Sequence, residues 1–186
     1  MKKTIFLGFI SMTFCLSAYA TEYRCEVMSV QGVAHVSGAQ GSRQTVREGE
    51  TLGAGDVLET GPGAFVDLAF DPGRNNVVRV ESDSLIKLTK IFPVRLHLDK
   101  GAALARLEGL PKNSKFQVVT PTAIAAVRGT IFRASYAPET GTQVFNLSKS
   151  KIEVYRVDGQ GLASGKSFFL DYGQAVQYPR IPLPGV

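Results

Sequence analysis

The chain is divided into many short extended runs, and this division constrains the fold more than any other feature of the sequence. From residue 23 onward, clusters of Gly, Pro, Asn and Asp separate the runs at intervals of roughly 8–12 residues. No long stretch repeats apolar side chains with helical periodicity. The pattern predicts an all-β fold. Because no fixed-period repeat is visible, periodicity alone does not choose among a sandwich, a barrel and a solenoid.

Alternation and turn residues predict individual strands and their connections. Ala64 to Phe70 alternates apolar and polar positions, which indicates a strand with one buried face. Lys100-Gly101 predicts a hairpin turn between two strands. Ser148-Lys149-Ser150 predicts a second hairpin, and residues 158–166, rich in Gly and Ser, predict a loop.

Residues 1–20 have the layout of a secretory signal peptide. Lys2 and Lys3 precede an apolar run from Ile5 to Leu16, and Ala18-Tyr19-Ala20 predicts cleavage after Ala20. The alternative is an uncleaved membrane anchor, although the apolar run is short for a spanning helix. Cleavage would leave 166 residues, enough for one domain with a sizeable core. No later apolar segment is long enough to cross a membrane, so no transmembrane span is expected after cleavage.

Charge and cysteine usage narrow the range of partners. The net charge of +5 is mild and scattered, so no nucleic-acid partner is expected, least of all for an exported protein. Cleavage would remove Cys15 and leave Cys25 alone, so no internal disulfide can form. The preferred interpretation of Cys25 is an unpaired residue in a loose leader. The alternative is a bridge to a second chain or an attachment thiol.

Few sequence features indicate catalysis. His35 and His97 have no neighbouring ligands at metal-binding spacing, and no Gly-x-Ser-x-Gly elbow occurs. Residues 161–167 end like a phosphate-binding loop, but Gln160 stands where that motif needs glycine. No spacing selects a glycosidase pair among the carboxylates, of which the candidates are Asp56, Glu59, Asp67 and Asp99. The sequence predicts a non-enzymatic protein without a cofactor or metal.

The segment from Phe116 to Tyr136 carries residue choices that burial alone does not explain. Pro121 lacks an amide donor and should stop the strand that precedes it. Gly129 in an extended run indicates a bulge or a close backbone approach. Arg128 lies among apolar residues, so we expect it to pair with a carboxylate of the Gly55-Asp56 turn. The alternative is that Arg128 binds an acidic ligand.

These residues resemble the signature of the FecR-like domain family, a group of bacterial envelope domains. The resemblance spans roughly residues 33–155 and implies a compact β-solenoid-like or β-roll fold of many short strands, with a β-sandwich as the alternative. It divides the chain into a signal peptide (1–20), a leader with the first strand (21–32), a FecR-like β domain (33–178) and a flexible tail (179–186). The motif residues, structural or binding, are Thr120, Pro121, Val127, Arg128, Gly129, Thr130, Phe132, Gly55, Asp56 and Thr60.

The resemblance also implies a location and two functions. Regulatory members of the family join a sigma-factor-binding segment and a membrane span to a periplasmic FecR-like domain, so we expect a periplasmic or secreted protein. The first function is an exported, non-enzymatic binding module that contacts another envelope protein or a ligand. The alternative is a periplasmic signal receiver that acts through a separate membrane partner. Neither the partner nor the oligomeric state can be inferred from the sequence.

Overall fold

The computed structural model describes residues 23–38, 41–112, 114–158 and 162–179. These residues form sixteen β-strands and no helix, so none of them belongs to a helix that could cross a membrane. The predicted signal peptide, with its cleavage after Ala20, lies outside the described residues, as do residues 180–186 of the tail. Both therefore stay predictions.

The strands are β1 (Cys25–Gln31), β2 (Ala34–Ser37), β3 (Arg43–Thr45), β4 (Thr51–Leu52), β5 (Val57–Thr60), β6 (Phe65–Ala69), β7 (Asn76–Val80), β8 (Leu85–Lys90), β9 (Arg95–Leu107), β10 (Phe116–Val119), β11 (Ala123–Val127), β12 (Ile131–Ala137), β13 (Gly141–Asn146), β14 (Ile152–Val157), β15 (Ala163–Leu170) and β16 (Ala175–Tyr178).

The strands form one open, branched sheet that divides into two layers. Layer A has the order β4-β1-β6-β7-β9-β12-β13-β16, and layer B has the order β3-β2-β5-β8-β9-β10-β11-β14-β15. The chain alternates between the layers, usually after one hairpin. Each layer buries one face against the other.

Strand β9 belongs to both layers. Its first half pairs with β8 and β10 in layer B, and its second half pairs with β7 and β12 in layer A. The change of layer occurs at Gly101, which has φ of +88°. Lys100-Gly101 is therefore a bend within one strand, and the predicted hairpin turn is wrong. Only glycine adopts this backbone conformation without strain, so the bend depends on it.

The core lies between the layers and is continuous. Leu68, Val78 and Phe132 enter it from layer A, and Leu96 and Ile152 enter it from layer B. Phe70, which comes directly after β6, meets Phe116 of β10 edge to face with ring centroids 5.7 Å apart. Both layers contribute to this cluster, whose members run from Cys25 to Leu170. A smaller cluster of Val119, Ile124 and Val157 lies apart from it.

The all-β prediction is confirmed. Within it, the described strands form an open sheet and neither a barrel nor a closed solenoid. Among the described strands, only β9 and β10 pair in parallel, whereas successive coils of a parallel solenoid would stack many parallel pairs. The chain does pass between two layers in a roll-like manner, and the two facing layers correspond to the sandwich alternative.

Two local predictions are corrected by strand pairing. β13 pairs with β12 and β16, whereas β14 pairs with β11 and β15, so residues 148–150 connect the two layers and do not turn a hairpin. The second half of the predicted loop 158–166 is strand, because β15 begins at Ala163. The resemblance to a phosphate-binding loop therefore falls partly on an edge strand.

Cys25 lies in the core and not in a loose leader. It begins β1, pairs with Leu52 of β4, and has no exposed surface. Its thiol forms no disulfide in the described structure. Burial, with a smaller contribution from Asp56, raises the pKa of the thiol far above its usual value. The predicted place in a loose leader is therefore wrong, and Cys25 serves as a small apolar core residue.

A cationic groove as the candidate functional site

A row of directly paired residues crosses the outer face of layer B. Lys90 of β8 is opposite Arg95 of β9, Arg95 is opposite Gln117 of β10, and Gln117 is opposite Ala126 of β11. The row continues through Glu153 of β14 to Phe169 of β15. Neighbouring residues of these strands point into the core, so this row faces outward. It spans six strands.

A second row of cations borders the first. Lys115 and Arg128 lie one residue beyond the paired ends of β10 and β11, and Lys151 immediately precedes β14. All three residues obey the alternation that places Gln117, Ala126 and Glu153 on the outer face. We call the two rows together the cationic groove.

Two adjoining cavities occupy the groove. The first, of about 270 Å³, is lined by Lys90, Pro93, Arg95, Lys115, Gln117 and Arg128. The second, of about 290 Å³, is lined by Lys115, Ala126, Val127, Arg128, Lys151, Glu153 and Phe169. Lys115 and Arg128 border both. Ala126 forms part of the floor, since its methyl group leaves open the space between the long side chains around it.

The first cavity concentrates positive charge. Its lining has four cations and no acidic residue. Three of these cations, Lys90, Arg95 and Arg128, form no ion pair and no side-chain hydrogen bond with any described residue. Unpaired cations in a concave surface attract anions because the surrounding protein reduces solvent screening.

The second cavity contains the one acidic side chain of the groove. Lys115 Nζ donates a hydrogen bond of 2.6 Å to Glu153 Oε2, and Ser167 Oγ donates one of 3.1 Å to Oε1. The bond from Lys115 lowers the pKa of Glu153, and the same bond raises the pKa of Lys115. Glu153 is thus ionised and held in place by its partners.

The predicted pair between Arg128 and Asp56 is not formed. Asp56 precedes β5, and Arg128 comes after β11, so β8, β9 and β10 lie between them in layer B. Four steps between neighbouring strands place them about 19 Å apart, which excludes a hydrogen-bonded pair. Arg128 is exposed, and Asp56 instead accepts a hydrogen bond of 2.7 Å from the Gly53 amide. The alternative prediction, that Arg128 binds an acidic ligand, stays open.

Other motif residues hold the two ends of β11. At the start, the buried Thr120 Oγ1 accepts a hydrogen bond of 3.0 Å from the Ala123 amide and lies 2.6 Å from Thr142 Oγ1. Pro121 is exposed in this turn, and β10 ends at Val119, as expected from the proline. At the other end, Val127 is buried in the core. These contacts fix the strand from which Arg128 projects.

The residues after Arg128 anchor the crossing from layer B to layer A. Residues 123–136 are two strands, because the chain changes layer between β11 and β12. Thr130 is buried, with Oγ1 2.5 Å from Ser148 Oγ, and Phe132 is fully buried. A Cβ at Gly129 would lie 3.7 Å from the Leu107 carbonyl oxygen, an ordinary contact, so the predicted close approach is absent there.

The upstream motif residues also have structural contacts. The Gly55 amide donates a hydrogen bond of 2.7 Å to the Leu88 carbonyl, and the Leu88 amide donates one of 2.9 Å to the Asp56 carbonyl. Thr60 Oγ1 accepts a hydrogen bond of 3.0 Å from the Ser84 amide. These bonds tie β5 to β8 and contribute no group to the groove.

A larger cavity on layer A is a weaker candidate. It has a volume of about 420 Å³ and includes Glu81 and Arg133 in its lining. Arg133 Nη2 already donates a hydrogen bond of 2.8 Å to Glu81 Oε2. The other charged residues of the lining are Asp83, Lys100 and Glu139, so this cavity does not concentrate charge of one sign. Among the described residues, no group of three His, Cys, Asp or Glu side chains could hold a metal ion.

Comparison with known families identifies the chain. The family model for FecR protein matches residues 56–153, which is more than half of the 186 residues. The chain belongs to the FecR protein family. The matched region of this FecR-family domain runs from Asp56 through Arg128 to Glu153. It therefore includes most of the cationic groove.

Solved structures resemble the FecR-family domain in fold. Two crystal structures of a protein assigned as an anti-sigma factor from Parabacteroides distasonis ATCC 8503, at 2.50 Å and 1.65 Å resolution, each align with a TM-score of 0.51 and 15% identity. Each alignment covers 66% of this chain but only 59% of the other. At this identity the likeness concerns the fold alone. No curated protein matches the sequence.

Sequence reasoning found only one residue of the groove, Arg128. It missed Lys90, Arg95, Lys115 and Lys151, which come from four separate runs of the chain. One signal was present: basic residues recur at or next to strand ends, where β8, β9, β10 and β14 begin or finish. The strand order of this FecR-family domain was needed to bring them together.

Proposed function

We propose that this protein is a non-enzymatic, exported member of the FecR family that binds another protein of the bacterial envelope through the cationic groove. The observation that carries the proposal is the environment of Arg128. Most of the other motif residues are buried or hydrogen-bonded within the fold, whereas Arg128 is exposed and, like Lys90 and Arg95 beside it, has no ion-pair partner among the described residues. A charged group without a structural partner, held on a rigid strand end, is suited to binding.

Electrostatics support a binding role over a catalytic one. The carboxylates with lowered pKa values, Asp67 and Glu153, each have an Arg or Lys partner that explains the shift. Cys25 is inaccessible in the core. A general acid or base works best with a pKa near the operating pH, whereas the pKa values of these two carboxylates are shifted away from neutrality.

A signal-receiving role is the second candidate. Family membership and the fold shared with a protein assigned as an anti-sigma factor favour it. In this version, the groove binds an envelope protein whose state reports an external signal, and a separate membrane protein carries the message inward. The two candidates share the groove and differ in the consequence of binding.

In-cell crosslinking of the exported protein tests the proposal. Wild-type protein should capture an envelope protein, and an Arg128→Ala variant should lose it. Arg106→Ala is the matched control because Arg106 is exposed on β9, forms no ion pair within the part of the chain that the structure describes, and lies outside the groove. Circular dichroism and thermal unfolding should first show that both variants fold like the wild type.

Equal capture by wild type and Arg128→Ala would remove the groove from the proposal. If a partner is captured, deleting its gene distinguishes the two candidates. The signalling candidate predicts a changed transcriptional response to the external stimulus, and the binding-module candidate predicts an unchanged one.

A further inference from the structure

We infer that the occupant of the cationic groove is an acidic segment of a partner protein, bound in an extended conformation across the strands of layer B. Its carboxylates face Lys90, Arg95 and Arg128, and an apolar side chain packs on Phe169. The inference rests on the proposed function, because it names the kind of partner that the same groove takes.

The shape of the groove favours a linear occupant. The two cavities share Lys115 and Arg128 in their linings, so they lie side by side along the same row of the sheet. The paired row from Lys90 to Phe169 crosses five gaps between strands. At about 4.8 Å for each gap the groove is about 24 Å long, the length of about seven extended residues. A single phosphate or carboxylate ion would occupy only a small part of it.

The order of side chains along the groove sets the chemistry of the segment. Lys90 and Arg95 are adjacent at one end, and no acidic residue lines the cavity there. At the other end Glu153 is followed by Phe169, whose exposed fraction of 56% is high for a large apolar residue. A complementary segment therefore has carboxylates over the first part and an apolar residue at the end.

The negative charge of Glu153 favours a peptide over a uniformly anionic surface as the occupant of the groove. Its carboxylate lies within the groove and is ionised. A membrane of anionic lipids would place negative charge over it, whereas a peptide can place an uncharged residue there. Like charges brought together cost binding energy, so the position of Glu153 favours the peptide.

Peptide binding to the exported full-length protein tests the inference. The probe is a fluorescein-labelled peptide of three Glu residues that alternate with Thr and a C-terminal Phe. Fluorescence anisotropy at low salt should show saturable binding. Arg95→Gln and Arg128→Gln should each raise the Kd about tenfold, because each removes a charge-assisted contact, and Arg106→Gln should leave it unchanged.

Two companion probes separate the sources of negative charge. A peptide with Gln in place of each Glu should bind at least about tenfold more weakly, and about 300 mM NaCl should weaken binding of the acidic peptide. Phosphatidylglycerol vesicles and inorganic phosphate should bind less tightly than the acidic peptide. Phe169→Ala should weaken binding of the acidic peptide but leave phosphate binding unchanged.

The inference is overturned if the Gln peptide binds as tightly as the acidic one, or if vesicles bind and the acidic peptide does not. These failures differ from failure of the proposed function. If crosslinking depends on Arg128 but the acidic peptide does not bind, the groove has a partner of other chemistry. If the peptide binds but crosslinking is independent of Arg128, the cellular role is elsewhere.

Discussion

Replacing Gly101 with alanine tests whether the bend in β9 holds the two layers together. Gly101 has φ of +88°, and an added Cβ would lie 2.5 Å from the Cα and 2.7 Å from the Cβ of Ser84. The left-handed backbone costs about 1–2 kcal/mol for a residue with a Cβ, and forcing Ser84 aside costs about 1–3 kcal/mol more. Ser84 Oγ also accepts a hydrogen bond of 2.9 Å from the Ala102 amide, and loss of this buried bond costs about 1 kcal/mol. We expect a total loss of about 3–6 kcal/mol.

Gly63→Ala is the matched control. Gly63 also has a positive φ, of +67°, but nothing lies within 4 Å of an added Cβ. This variant should lose only the backbone component, about 1–2 kcal/mol. Equilibrium urea unfolding of both variants at about 25 °C, monitored by circular dichroism, gives the comparison. If the two variants lose stability equally, the close contact with Ser84 does not determine the bend, and the reasoning is refuted.

Three further predictions concern the core, an ion pair and a thiol. Phe132→Ala should lower the free energy of unfolding by about 3–5 kcal/mol in urea, because the ring is fully buried, and a loss below about 1 kcal/mol would contradict its place in the core. Burial raises the pKa of Asp67, but hydrogen bonds from Arg79 and Ser29 outweigh it and lower the pKa below its usual value. This stabilisation exists above the unfolded pKa of about 3.9 and disappears as the pH falls through the folded value. Arg79→Leu should therefore cost about 0.5–1 kcal/mol at pH 7, discounted because Arg79 is half exposed, and progressively less as the pH falls below about 4; a pH-independent difference would argue against the pair. In a Cys15→Ser variant, Cys25 should react with Ellman's reagent only after urea unfolds the protein, and rapid native reaction would show that β1 is not packed as described.

Local pattern was sufficient to predict strands but not their partners. The alternation at Ala64 to Phe70 correctly predicted β6 and its buried face. The local pattern at Lys100 and Gly101 is compatible with both a hairpin turn and a bend within one strand. What decides between them is pairing with β7, β8, β10 and β12, which are distant in sequence. The sequence of a window of about ten residues contains no information about such long-range pairing.

The candidate site was hidden for the same reason. The motif made Arg128 visible, but its neighbours in the groove, Lys90, Arg95 and Lys115, come from other strands or from the segments beside them. The expected partner, Asp56, belongs to the same layer but is four strands away. The resemblance to a family singled out Arg128 as a motif residue. Only the order of the strands showed which other side chains lie beside it.

Strand pairing also sets the smallest fragment that could be studied alone. A fragment limited to the matched residues 56–153 would lack β1 and β2, which pair with β6 and β5, and most of β14, which pairs with β11. Each missing strand would leave a row of unpaired amide and carbonyl groups, and such edges recruit strands from other molecules. We therefore expect that fragment to aggregate, whereas a fragment from Tyr23 to Pro179 keeps every described pair. The boundaries of the folding unit are fixed by hydrogen bonding between strands and extend well beyond the sequence signature.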